Sequence, residues 1–450
     1  MSDPALFPDA VSEETGTGSA TGGAPRVRGP VRNQLLMLVS SDLESLLAPD
    51  HRARLVWDFV KAQNLSAFYE RIRSVEGRPG RPAIDPAILM GLWLYATIEG
   101  VGCARVLARL CTSHDAYRWM CGGVAVNHHT LSDFKSEHPE DLDRILTESV
   151  AALLSAGGVT LERVAQDGVR VRAEAGAGSF RREPTLQERL EEALGQVQAL
   201  RKELDDDPQA TTRRQTAARE RAARERVERV RRALEEREKV AAQRMKNKKK
   251  RTEEDKKQAR ASTTDPDARV MKMGDGGYRP AYNAQFATDV HSQVIVGVDV
   301  TNVGSDLGRM GEMRAQLRDK YGRFPTAMLV DGGYVMHEDI DSAESGGTTV
   351  YAPVRERKGK AGEKNRYERT PRDTDGVAKW RERMGTPTAA EIYKQRAATA
   401  ECVNALARNR GLRRVWVRGL AKVKAGLLWY ALAHNLMRAA SLRRGCSATA

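Results

Sequence analysis

The chain has 450 residues, and 74 Lys+Arg against 60 Asp+Glu give a net charge of +14 and a pI near 9.6. That length allows two or three domains, and 40% hydrophobic residues with only 5% aromatics suffice for an aliphatic core. No apolar run approaches the roughly eighteen residues of a membrane span, and no basic start precedes an apolar stretch at the N-terminus, so a membrane or secreted protein is excluded.

Five cysteines (Cys103, Cys111, Cys121, Cys402 and Cys446) form no CxxC pair, which argues against a disulfide framework or a zinc knuckle and fits a reducing cytoplasm. The positive charge points to nucleic acid as partner.

Residues 1–34 are rich in Gly, Pro, Ser, Thr and Ala and read as a disordered tail. From 35 to 155 apolar residues recur at helical spacing, as in Leu55, Val56, Phe59 and Val60 or Ile88, Leu89, Leu92 and Trp93, which predicts an all-helical domain. Asp85-Pro86 places a cap residue and then proline at the start of one of its helices.

A strand over Leu161–Val171 comes next. In 183–260, Leu186, Leu190, Ala193, Val197, Leu200 and Leu204 alternate steps of four and three, the seam of a coiled coil. Asp205 to Pro208 break it, and Ala223, Val227, Val230 and Leu234 form a second stripe, so the expectation is an inserted helical coiled-coil hairpin. Between 181 and 260, 25 Lys/Arg against 17 Asp/Glu supply +8 of the +14, either as a solvated arm or as a DNA contact.

Beyond 275, Tyr282–Val290 and Val294–Val300 read as an antiparallel hairpin about His291-Ser292-Gln293. A helix over 305–321, a strand at Ala327–Val330, a helix over 335–345 and a strand at Thr348–Pro353 come after it. Residues 354–386 show no periodicity, 387–440 are helical, and 441–450 form a tail. Three antiparallel strands followed by strand–helix crossovers are the order of an RNase H-like α/β fold of the retroviral-integrase type, preceded by an all-α domain. The catalytic domain is then 156–440, interrupted at 183–260.

Asp167 lies inside the first strand, where an unpaired carboxylate is costly. Asp331 ends a buried strand at its carboxyl end, where ligand sites of open α/β sheets collect, and Gly332-Gly333 leave room there. Phosphodiester cleavage uses two divalent ions about 4 Å apart, and magnesium prefers carboxylate oxygens. A third acid is therefore expected from a helix, and Glu401 is the best candidate. Glu401 and Arg408 are seven apart and share a face, with Tyr393 and Arg396 on a neighbouring one; an arginine there suits a DNA phosphate.

These stretches, with Asp265-Pro266-Asp267, Tyr282-Asn283-Ala284-Gln285, Asn302 with Asp306, Tyr351-Ala352-Pro353 and Arg418-Gly419-Leu420, resemble the DDE transposases of bacterial insertion sequences, roughly from 35 to 440. The resemblance implies that Asp167, Asp331 and Glu401 are catalytic and hold two Mg²⁺ ions, with Mn²⁺ as a substitute, while Tyr393 and Arg396 contact DNA near the cut. It implies attack of water at the element's end, then joining of the freed 3′-hydroxyl to target DNA.

The implied partners are double-stranded DNA, as terminal inverted repeats and target, and further copies of the chain in a homodimer or higher oligomer with the coiled coil as one interface. The implied location is the bacterial cytoplasm, at the nucleoid. Asp85 to Phe134 looks like the family's N-terminal domain, in which a helix-turn-helix would read the repeats. His128-His129 point about 100° apart on a helix, against a metal role. The alternatives are a decayed or domesticated DNA-binding protein of the same fold and a non-mobile RNase H-like nuclease.

Overall fold

The computed structural model describes residues 42–72, 74, 82–206, 213–247, 252–356 and 365–448. The expected tail 1–34, the tip of the hairpin and most of the Lys246–Arg251 run lie outside them. The chain divides after Asp42, and every helix and strand named here lies in the unit Leu43–Ala450.

Seven α-helices come first: α1 Arg52–Lys61, α2 Ser66–Tyr69, α3 Pro86–Ile98, α4 Ala104–Ser113, α5 Asp115–Cys121, α6 His128–Ser136 and α7 Pro139–Ser155. Asp85 caps α3 as its sequence predicts, accepting from the Ala87 N–H at 2.8 Å with Pro86 in the first turn. Every residue of α3 except Ala87 and Thr97 is buried, so it is the axis about which the other helices pack.

Strand β1 (Arg163–Arg172) starts the sheet, and β2 (Phe180–Arg181) leads into helices α8 (Glu183–Asp206) and α9 (Arg213–Asn247). These two run antiparallel, with Glu183 paired to Arg237 at 2.7 Å, Glu192 to Arg226 at 3.2 Å and Glu203 to Arg219 at 3.1 Å. Of the predicted stripes, Leu186, Ala193, Ala223, Val227 and Val230 are buried and Leu190, Val197, Leu200 and Leu234 half-buried. Helix α10 (Glu253–Lys257) and strand β3 (Ala261–Ser262) come after α9, and β3 pairs with β2, closing the base of the insertion.

The main sheet is completed by β4 (Arg269–Lys272), β5 (Tyr278–Asp289), β6 (Ile295–Thr301), helix α11 (Arg309–Tyr321), β7 (Ala327–Leu329), helix α12 (His337–Ser345) and β8 (Thr349–Tyr351). Across it the strands run β6-β5-β1-β7-β8. The first three are antiparallel and β1-β7-β8 parallel, which is the expected RNase H-like order. Strand β4, not expected from the sequence, pairs with the start of β5 on the edge that β6 covers further along. The stretch 354–386 also contains α13 (Asp375–Met384), anchored by buried Val377 and Trp380 and capped by Thr374; too few apolar residues flank those two to set a visible period.

Helices α14 (Pro387–Arg396) and α15 (Cys402–Asn409) are joined by a π turn, Ala397–Glu401, and α16 spans Leu420–Ala448. It continues through 441–448, assigned to a tail from the sequence, because nothing before Ala448 breaks it and Leu442 still packs on the core. Two carboxylates receive its first turn: Asp265 accepts from the Gly419 N–H at 3.1 Å and Asp267 from the Leu420 N–H at 2.9 Å.

Helix α16 fastens helices to sheet. The Trp429 Nε1–H donates to the Lys135 carbonyl in α6, while the Asn435 amide both donates to and accepts from Ile295 backbone of β6 at 2.8 Å. One core therefore runs from α1 to α16, and the change at 155/156 marks a change of secondary structure, not a gap in packing.

His434 on α16 is 2% exposed and bonds the Gln293 carbonyl at 2.9 Å; burial pushes its imidazole down to about 4 from the ordinary 6.5. It is neutral in the fold. As pH falls from 6.5 to 4 the unfolded chain gains a proton that the fold refuses, so stability present above 6.5 is lost, by about 3 kcal/mol. Denaturation midpoints measured across that window should fall less steeply for His434→Gln than for the intact chain.

Candidate active site

The register of β1 with β7 pairs Ala165 with Leu329, so Asp167, two residues further along β1, has as its counterpart Asp331, two residues past the end of β7. Asp331 comes just after the last residues of β7, its Oδ1 accepting from the Gly333 N–H at 2.7 Å. A side chain at Gly333 would put Cβ 2.9 Å from that oxygen, which explains the glycine.

The Asp167 carboxylate is 19% exposed and receives the Asn404 Nδ2–H at 2.9 Å and the Gly168 N–H at 2.9 Å. Burial pushes its pKa up; Arg396, at 3.8 Å, opposes this, and Asp331 and Asp306 add to the rise.

Asp306 belongs to a network to which the sequence alone assigned no role. Its carboxylate accepts from Arg170 at 2.9 Å, from Asn283 at 2.7 Å and from Gln285 at 2.8 Å, and Gln285 is bonded in turn by Tyr334 and Gln166. The network crosses from β1 to β5 behind Asp167. Gly168 is required there, since a Cβ would approach the Gln285 amide to 2.5 Å and the Asp306 carboxylate to 2.7 Å. The visible signal was the alternation of polar Gln166, Asn283 and Gln285 with apolar neighbours inside strands, where buried amides demand partners.

Arg396 and Glu401 meet because of the π turn. Five residues along an α-helix would set them about 140° apart, whereas the i to i+5 spacing of a π turn brings them onto one face. The Arg396 guanidinium accordingly lies 3.4 Å from Glu401 and 3.8 Å from Asp167, with the Tyr393 ring 5.9 Å from it. Buried Ala400 packs the turn on Ala165, Ala327 and Leu329, directly under the aspartates.

Glu401 itself points outward, its side chain 62% exposed and its carboxylate paired with Arg396. Arg408, exposed at the end of α15, does not join the cluster. Asn404, missed from the sequence, is 4% exposed and takes the place nearest Asp167; its Oδ1 has no hydrogen-bond partner among the described residues.

Two family models match the chain: that of the transposase DDE domain over residues 250–436, and that of a transposase domain (DUF772) over residues 41–137. The chain belongs to the DDE-type insertion-sequence transposases. No curated protein and no solved structure matches it. Asp331 and Glu401 fall inside the matched DDE domain, and Asp167 precedes it. DNA transposition is thereby the activity of the family to which this transposase belongs, and its members typically use divalent metal ions.

For such an ion the two aspartates and the free Oδ1 of Asn404 are a suitable oxygen set. No three potential ligands among His, Cys, Asp and Glu converge among the described residues. His128 and His129, expected to point apart, have their ring centroids 4.1 Å apart with the planes tilted by 35°. Among the described residues no helix is long and apolar enough to cross a membrane.

Removing the Asp306 charge leaves Arg170 unpaired at a site where the two side chains are 13% and 19% exposed. Asp306→Ala should therefore destabilise the transposase by about 2–4 kcal/mol, read as a lower denaturant midpoint with unchanged slope; a loss under about 0.5 kcal/mol would contradict the network's importance.

Proposed function

We propose that this transposase binds the terminal inverted repeats of its element, cleaves phosphodiester bonds at the element's ends, and joins the freed 3′-hydroxyl to target DNA, acting as a homodimer or larger homo-oligomer. The observation that supports this reading is the nearness of Asp167 on β1 to Asp331 just past the paired strand β7, with Asp306 fixed by Arg170 and Arg396 beside Asp167.

Asp167 and Asp331 would hold Mg²⁺, or Mn²⁺ in its place, with Glu401 as the third carboxylate. When bound, two such ions supply stabilisation of charge on the attacking and leaving oxygens. Arg396 has a role of its own. In the free protein it neutralises Asp167 and holds Glu401; a DNA phosphate offers the guanidinium a bidentate partner. Exchange of Glu401 for phosphate frees the glutamate to turn toward Asp167, so that substrate binding completes the carboxylate set. Tyr393 packs against Arg396 and orients it, while Arg408, exposed at the end of α15 and outside the cluster, would be a separate contact to the DNA backbone.

Within the N-terminal helices, α3 is enclosed on every side and is excluded as the groove-reading helix. The amphipathic, exposed faces of α4 and α6 are the ones able to enter a groove.

A second reading, a non-catalytic DNA-binding protein of the same fold, draws on the exposed position of Glu401. Nicking of labelled DNA carrying the element's own ends separates the two. Asp167→Asn and Asp331→Asn should each lower Mg²⁺-dependent nicking by roughly 10³-fold, the upper scale of a single electrostatic contact to a transition state, and leave end binding within about threefold. End binding by the intact chain with no nicking would favour the second reading.

A further inference from the structure

The segment that returns from α15 to α16 is built for a purpose that the catalytic cluster does not use. Residues 410–419 pass beside the end of β1, where the Arg172 N–H donates to the Arg413 carbonyl at 3.1 Å and the Val415 N–H donates to the Arg172 carbonyl at 2.9 Å. The next residue, Trp416, is 62% exposed, whereas the other five tryptophans are buried or half-buried. An indole left in water forgoes one of the largest burial gains any side chain offers.

The ring is nevertheless held in place. The Arg414 guanidinium lies 4.5 Å from its centroid and is itself fixed by Glu174 at 2.8 Å. At the ring's edge, a Cβ built on Gly102 would sit 4.0 Å from both Trp416 Cδ1 and Lys135 Nζ. That lysine is held over the Trp93 ring at 4.3 Å and donates to the Gly102 carbonyl at 2.7 Å. Exposed Arg413 and Arg418 flank Trp416 along the segment, exposed Arg105 comes three residues after Gly102, and the acids nearby are Glu174 on Arg414 and Asp265 near Arg418.

We propose that Trp416 is a nucleobase platform at the centre of a second DNA-contact surface, formed jointly by the 410–419 segment and the start of α4. This rests on the transposase reading above. An exposed aromatic ring held by a guanidinium on its face, in a segment that also exposes Arg413 and Arg418, matches a polyanion whose bases have π faces, and such a basic segment repels basic protein partners.

The position fits as well. Arg172 lies five residues past Asp167 on β1, about 16 Å at the rise of a strand, or roughly five nucleotide steps along one DNA strand. A strand cut at the aspartates therefore reaches the indole while its phosphates run over Arg413 and Arg418. Lys135 and Arg105 come from the N-terminal helices, so the surface spans both family-matched regions and couples their grip on one DNA molecule.

The experiment titrates the full chain with a short mixed-sequence labelled oligonucleotide, single-stranded and as a duplex with a single-stranded overhang, at several salt concentrations. Trp416→Ala should weaken binding to the single-stranded probe about tenfold without changing the slope of log affinity against log salt, because a stacking contact releases no counterions. Trp416→Phe should stay within about threefold of the intact chain. Arg418→Gln should flatten the salt slope by somewhat less than one.

As a second readout that needs no destabilising variant, bound oligonucleotide should shield tryptophan fluorescence of the intact chain from iodide, and should shield Trp416→Phe measurably less. Unchanged affinity in Trp416→Ala, or equal shielding in both proteins, would overturn the platform while leaving the transposase reading in place. Absence of DNA binding by the intact chain would overturn that reading itself.

Discussion

A helix that is apolar on every side has to be surrounded, and α16 imposes that requirement on this protein. Val423, Ala425, Leu427 to Ala433 and Leu436 are buried without leaving a polar face over that stretch. The sheet can cover only one flank, through β6, so the N-terminal helices α3, α6 and α7 cover the others. What the chain order presents as a helical domain followed by a catalytic one is therefore a single packed body. The polar groups that α16 does carry, His434 and Asn435, are spent on backbone groups of the β5–β6 turn and of β6, which would otherwise be buried without partners.

The candidate site arises from a second constraint, the placing of several carboxylates in a poorly solvated notch. Like charges raise one another's cost of ionisation, and the structure offsets that cost with two arginines on opposite sides: Arg170 behind, fixed to Asp306, and Arg396 in front, shared between Asp167 and Glu401. The rear arginine is locked by the Asn283 and Gln285 network, whereas the front one is held by longer contacts and by a π turn. The difference suits their roles, since a scaffold must not exchange partners and a substrate clamp must. The π turn lets one exposed glutamate and one half-buried arginine share a face while Ala400 stays packed beneath them.

Much of this was legible in the chain itself. Alternation and β-branching located β1, β5, β6, β7 and β8, and their order with the intervening helices gave the RNase H-like arrangement, because period and crossover rules act locally. Asp85-Pro86 named a helix start, and the apolar spacing within 183–260 named two helices, α8 and α9. Asp167 and Asp331 could be singled out because a carboxylate inside or at the end of an apolar strand is an energetic anomaly that local sequence displays.

Other features depend on residues far apart in sequence, and only the folded chain decides them. Asn404 meets Asp167 across 237 positions, and Asp306 meets Arg170 across 136. Neither pair has a period or a motif, because a hydrogen bond needs proximity and proximity here is made by the sheet. The outward turn of Glu401 and its capture by Arg396 depend on how α14 and α15 settle on β1, which spacing alone misstates by ignoring the π turn. The sequence by itself thus determined which elements form and which carboxylates are exceptional, since those are matters of local period and of charge. The tertiary structure decided which groups stand beside those carboxylates, because that is a matter of packing.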